Sequence, residues 1–204
     1  MSPAFRRAFP LIMLALAAPA VAQDGAAVEA MSQALRADQE AHLWRVGAWG
    51  LANAVGGGAL FLVSDAEGEP QRRAFGMQAA AWGLINTGIA VVGLASGPGE
   101  VHAAWDAALR AENGYADVLL VNLGLNVGYM AVGGTLWIVA GRGVENPGAW
   151  RGHGQALVLQ GAGLLVLDGI AYAGTRARLG ALVDLAASAT LGLGPDGLTL
   201  AVAL

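Results

Sequence analysis

The chain has 204 residues, 56% of them apolar and 13% charged, about half the charged share of a soluble protein. A formal net charge of −4 is too small to point to nucleic acid or a strongly charged partner. Cys is absent, which excludes disulfides, thiolate metal sites, cysteine nucleophiles and iron–sulfur clusters.

The first 22 residues read as a signal peptide. Arg6 and Arg7 form a positive start, 8–18 is apolar, and Pro19-Ala20-Val21-Ala22 is a small-x-small cleavage site before Gln23. The apolar run is about half of a 20-residue span, which favours cleavage over an uncleaved signal anchor. Arg6-Arg7 matches a twin-arginine signal only in part. Over 23–42, Val28, Met31 and Leu35 share one helical face, so a juxtamembrane helix is expected there.

Residues 43–178 hold the membrane domain. The runs 46–63, 74–96, 118–141 and 154–175 contain one charge between them, Asp168. Each approaches or exceeds the about 18–20 residues that cross a bilayer, which sets spans near 43–63, 74–96, 117–141 and 154–175. Backbone polar groups in lipid require helix or closed barrel, and the lack of strict alternation selects helix. The fold class is therefore all-α: a four-transmembrane-helix bundle after a cleaved signal peptide. Gly97-Pro98-Gly99 ends the second span, and 100–113 reads as a short amphipathic helix on the membrane surface. In the tail, 179–204, alternating residues flank Gly194-Pro195-Asp196-Gly197; a β-hairpin and a disordered tail both fit. Cleavage before Gln23 puts both mature termini outside the cytoplasm. The arginines divide almost evenly between the two sides and add no support.

Ala48-Trp49-Gly50-Leu51-Ala52-Asn53 recurs as Ala81-Trp82-Gly83-Leu84-Ile85-Asn86 in the next span. Duplication of a helix explains the string, and chance in a chain rich in Ala, Gly and Leu is the alternative.

Asn53, Asn86, Asn126 and Asp168 give each span one polar residue. A rise of 1.5 Å per residue puts all four roughly 10–15 Å from the outer helix ends, a single layer. Asn122 and Gln160 extend the same faces, and Gly124 with Gly128 would let another helix approach. A carboxylate at this depth costs at least about 2.5 kcal/mol, so Asp168 must face the interior and find donors. Two readings stay open: hydrogen-bonded glue between helices, or a cavity for an ion, proton or small solute. His42, His102 and His153 lie outside the spans and read as surface residues, unable to grip a haem from within the bundle. No nucleophile–base set or carboxylate pair is visible, so no enzyme, cofactor or metal site is expected. The expected partners are the lipid bilayer and another membrane protein or a second copy of the chain.

Trp49 with Asn53, the stretch 75–86, Asn122-Leu123-Gly124-Leu125-Asn126-Val127-Gly128-Tyr129, and Leu157-Val158-Leu159-Gln160-Gly161 before Asp168 resemble a bacterial four-helix membrane protein family, known as a domain of unknown function. The resemblance extends over nearly the whole mature chain. It implies the four-helix fold and a bacterial inner (cytoplasmic) membrane location, and carries no activity. It also implies an Asp at the position of Asn126 in many members, so Asn here lowers the charge of the polar layer.

Overall fold

Proline, glycine and short polar side chains set the ends of four helices: α1 (Pro3–Val63), α2 (Pro70–Ser96), α3 (Trp105–Val139) and α4 (Pro147–Ser188). The computed structural model describes residues 3–97, 99–194 and 197–202, with side-chain surroundings for 25–97 and 99–186. Pro70 opens α2, where a missing N–H costs nothing, and Gly97 closes it at φ 77° with its N–H on the Leu94 carbonyl. Before α4, Asn146 takes φ 53° and its Oδ1 accepts the Ala149 N–H at 3.2 Å. Between α1 and α2, Asp65 accepts the N–H groups of Gly68 and Glu67, which hold its carboxyl below the usual carboxylate range. The contribution of this turn is present above the ordinary carboxylate pKa and is lost as pH falls through the lowered one. Arg73 donates to the Phe61 and Ser64 carbonyls at 3.1 Å each, satisfying the end of α1, and lies over the Phe61 ring. Beyond α4, β1 (Ala189–Gly194) and β2 (Gly197–Val202) pair antiparallel with Leu191 opposite Leu200. Residues 195 and 196, where the turn of the expected hairpin falls, lie outside the described residues.

The described helices are inverted relative to a soluble bundle. Leu62, Leu84, Val92, Val121, Ile138 and Val166 are exposed, whereas Asn86, Asn126, Gln160 and Asp168 are buried. Water would penalise such a surface and lipid would not. All four helices are long and apolar enough to cross a membrane, including 27 residues in α2 and 40 in Pro147–Ala186. At 1.5 Å per residue these reach about 40 and 60 Å, against a hydrocarbon thickness of about 30 Å.

The chain divides into two units. One comprises Met1–Arg36, Glu100–Gly114 and Thr175–Leu204. Its core is Val28, Ala108 and Leu182, flanked by Met31, Leu109 and Leu185. Glu112, 1% exposed, pairs with Arg178, which also donates to Thr175 Oγ1 at 3.0 Å. Trp105 donates its indole N–H to the Leu182 carbonyl at 2.8 Å. These contacts correct the expectation of a separate surface helix over 100–113. Residues from Trp105 onward belong to α3, and the expected apolar face packs on protein. Gly114 alone, among good helix formers, does not stop a helix. The helix of the last expected span, α4, continues beyond residue 175 to Ser188.

The second unit, Ala37–Gly99 and Tyr115–Gly174, contains the apolar spans. The repeated Ala-Trp-Gly-Leu-x-Asn string lies where α1 meets α2. A Cβ on Gly50 would fall 2.6 Å from the Thr87 nitrogen and 2.8 Å from the Gly83 carbonyl oxygen, so the backbones touch. Gly133 meets Gly154 in the same way between α3 and α4, with 2.6 Å from a built Cβ to the Gly154 oxygen. The expected approach at Gly124 and Gly128 is not made among the described residues: a Cβ built on either meets nothing within 4 Å.

Candidate functional site

Within the second unit, one face of α4 carries Leu157, Gln160, Leu164, Asp168 and Ala171, all buried and spaced three or four residues apart. The opposing face of α1 carries His42, Val46, Trp49 and Asn53 at the same spacing. Polar side chains meet across these faces at two levels, about 12 Å apart by the helical rise between Gln160 and Asp168.

At the first level Gln160, 1% exposed, offers its Oε1 to the Trp49 indole N–H at 3.0 Å and to the Asn86 amide at 3.5 Å. Asn53 stands beside this group but donates to the Trp49 carbonyl of its own helix at 2.8 Å. The second tryptophan of the repeat, Trp82, packs on Tyr129 with ring centroids 4.8 Å apart. All polar groups of this level are uncharged.

At the second level Asp168, 4% exposed, accepts the Asn126 amide on Oδ2 at 2.6 Å. Its Oδ1 lies 3.1 Å from Nε2 of His42, itself 7% exposed. One proton occupies the space between Oδ1 and Nε2, since two bare acceptors would repel. His42 Nδ1 is buried and has no hydrogen-bond partner among the described residues. With one proton between Oδ1 and Nε2 the pair carries a single negative charge, and a second proton on Nδ1 would make it neutral.

The sequence-derived residues are therefore not one layer. Asn86 and Gln160 meet, Asn126 and Asp168 meet, and Asn53 turns back on its own backbone. Asn122 is partly buried and joins neither group. Helix depth alone misplaced them, because an Asn or Gln side chain selects its partner by rotation as well as by height. Two residues were missed. His42 is buried, not on the surface, and Trp49 serves as a donor as well as packing. The signal was present: 42, 46, 49 and 53 follow the 4-3-4 spacing of one helix face, continuing inward from the juxtamembrane segment.

Two cavities open in this unit. One, of about 270 Å³, lies at the C-terminal end of α2 and includes His42 in its wall. The other, of about 520 Å³, is lined by Gln78, Trp150 and His153, with His153 Nδ1 at 3.0 Å from Gln78 Oε1. Among the described residues, no three His, Asp or Glu side chains gather as a metal would require.

Fold and site together define a protein of four helices long and apolar enough to cross a membrane, with buried polar side chains between them. Comparison with known families then places it: the chain belongs to a family of unknown function (DUF6992), whose model covers residues 45–169. Trp49, Asn53, Asn86, Asn122, Asn126, Gln160 and Asp168 lie inside that match, and His42 lies three residues before it. No curated protein and no solved structure matches the chain.

Proposed function

We propose that this protein is a non-enzymatic integral membrane protein that binds and releases a proton within its helix bundle, at the Asp168–His42 pair. The observation that carries this reading is a buried carboxylate holding a buried histidine while Asn126 fixes its other oxygen. A carboxylate kept at membrane depth costs at least about 2.5 kcal/mol on insertion scales, and neutral residues join helices without that cost. Gln160, Trp49 and Asn86 do so in the same bundle. An imidazole beside the carboxylate supplies a nitrogen that can take up or release a proton, which an amide or an indole cannot. The test is proton uptake by purified protein from about pH 8 to about pH 5, compared between wild type and Asp168→Asn. A loss of about one proton per chain in the variant supports the reading, and identical curves overturn it.

A second reading is favoured by the Gln160 group: the polar residues join helices and the protein serves as a structural or partner-binding element. Gly124 and Gly128, which face open space among the described residues, would then receive a second copy or another membrane protein.

The placement that accompanies either reading is a bacterial inner membrane. The leader 1–22 is removed, a juxtamembrane helix covers 23–42, and both mature termini lie outside the cytoplasm. The tail folds as a β-hairpin. A reporter fused after Leu204 that is active in the cytoplasm would contradict this orientation.

A further inference from the structure

The cavity of about 270 Å³ at the end of α2 is lined by Gln39, Glu40, His42, Leu43, Leu94 and Tyr115, together with glycines. Three features fix the sign of charge it prefers. Glu40 places a carboxylate in the wall. No Arg is among the described wall residues. The C-terminus of α2 ends there, at Ser96 and Gly97, and a helix C-terminus carries about half a negative charge on its last carbonyls. The Glu40 carboxylate and the end of α2 would both repel an anion. Leu43, Leu94 and the Tyr115 ring offer apolar and aromatic surface, which a hydrated metal ion cannot use and an alkyl- or aryl-substituted ammonium can. The volume lies just under the range of about 300–1,000 Å³ typical of drug-sized ligands, so the occupant is small.

His42 is the wall residue that also touches Asp168. We propose that this cavity binds a small organic ammonium ion in competition with the second proton on the His42–Asp168 pair. The inference rests on the proton-binding reading above. The second proton takes the pair from one negative charge to none and so removes its attraction for the ligand; by linkage, a bound ammonium ion opposes proton uptake to the same extent. Three carboxylates and one guanidinium lie around His42. Asp168 faces it from α4, Glu40 shares the cavity from its own helix, and Asp38 and Arg45 stand one turn away on that helix. From α3 come Tyr115 in the wall and Asn126 through Asp168, while α2 contributes no titratable group to the wall.

The experiment is calorimetric titration of the full chain in phosphatidylcholine nanodiscs with benzyltrimethylammonium, and with benzenesulfonate as the anion of similar size. The expected result is ammonium binding that weakens about tenfold from about pH 8 to about pH 5, with benzenesulfonate weaker still. Glu40 is exposed, so Glu40→Gln should leave the fold intact and weaken ammonium binding about tenfold. Equal or tighter benzenesulfonate binding, or no effect of Glu40→Gln, would overturn the proposal. So would ammonium affinity that does not vary with pH. Absence of ammonium binding in a protein that still takes up the Asp168-dependent proton sinks this inference and leaves the proton-binding reading standing. Absence of that proton uptake sinks the reading itself, whatever the isotherms show.

Discussion

Gln160 and Asp168 stand about two turns apart on the same face of α4, and each is contacted from two other helices. Around Gln160 the partners are an indole and an amide, all neutral, and their hydrogen bonds have fixed donors and acceptors. Around Asp168 the partners are an amide and an imidazole, and the number of protons is variable. Both groups join α1 to α4, so joining helices does not by itself require a charge. What separates them is that one can change its protonation and the other cannot. On the proposed reading, buried polarity in this bundle has two uses, which substitution can pull apart.

The largest effect is expected from His42→Leu. It leaves Asp168 buried without its histidine, and removing one partner of a buried pair costs about 3–5 kcal/mol. Unfolding in detergent would measure the loss, and adding Asp168→Asn to the same chain should recover most of it. If the double variant is no more stable than the single one, the carboxylate is not the source of the cost.

Next comes Gln160→Leu, which strips the acceptor from the Trp49 indole and the Asn86 amide. A loss of about 1–3 kcal/mol is expected, with proton uptake unchanged. A change in uptake would merge the two groups into one functional unit and break the comparison.

Asp168→Asn alone should lie within about 1 kcal/mol of wild type or above it, because an amide keeps the hydrogen bonds and sheds the buried charge. The smallest effect is expected from Asn53→Ala, about 0.5 kcal/mol or less, since the Asn53 amide reaches only the Trp49 carbonyl of its own helix. A loss as large as that of Gln160→Leu would show that Asn53 holds a second helix after all.

Much of the fold was legible because lipid leaves a chain few choices. Long uncharged runs in α1 to α4 had to be helices, and Pro70, Gly97 and the Asn146-Pro147 pair marked their ends. Asp168, Asn126, Gln160 and Asn86 were legible for the same reason: polar residues at membrane depth must find one another. The partners were not legible. A helix fixes height, but whether Asn86 turns to Gln160 or to Asp168 depends on helix crossing and rotamer, which no spacing in one sequence specifies. His42 was hidden by its neighbours. It sits among Gln39, Glu40 and Arg45, and that charge density reads as surface, although its own position continues the buried face through Val46 and Trp49. Likewise Arg178 read as one more flanking arginine, because its partner Glu112 lies 66 residues away in sequence.

The most direct test is nuclear magnetic resonance of the full chain with labelled His and Asp, following the His42 ring and the Asp168 carboxyl from about pH 8 to about pH 5. The predicted result is that both signals move together in wild type and that the His42 change is displaced in Asp168→Asn, while the Trp49 indole signal at Gln160 holds still. A His42 ring that titrates alike in both proteins, or that does not titrate at all, would contradict the account.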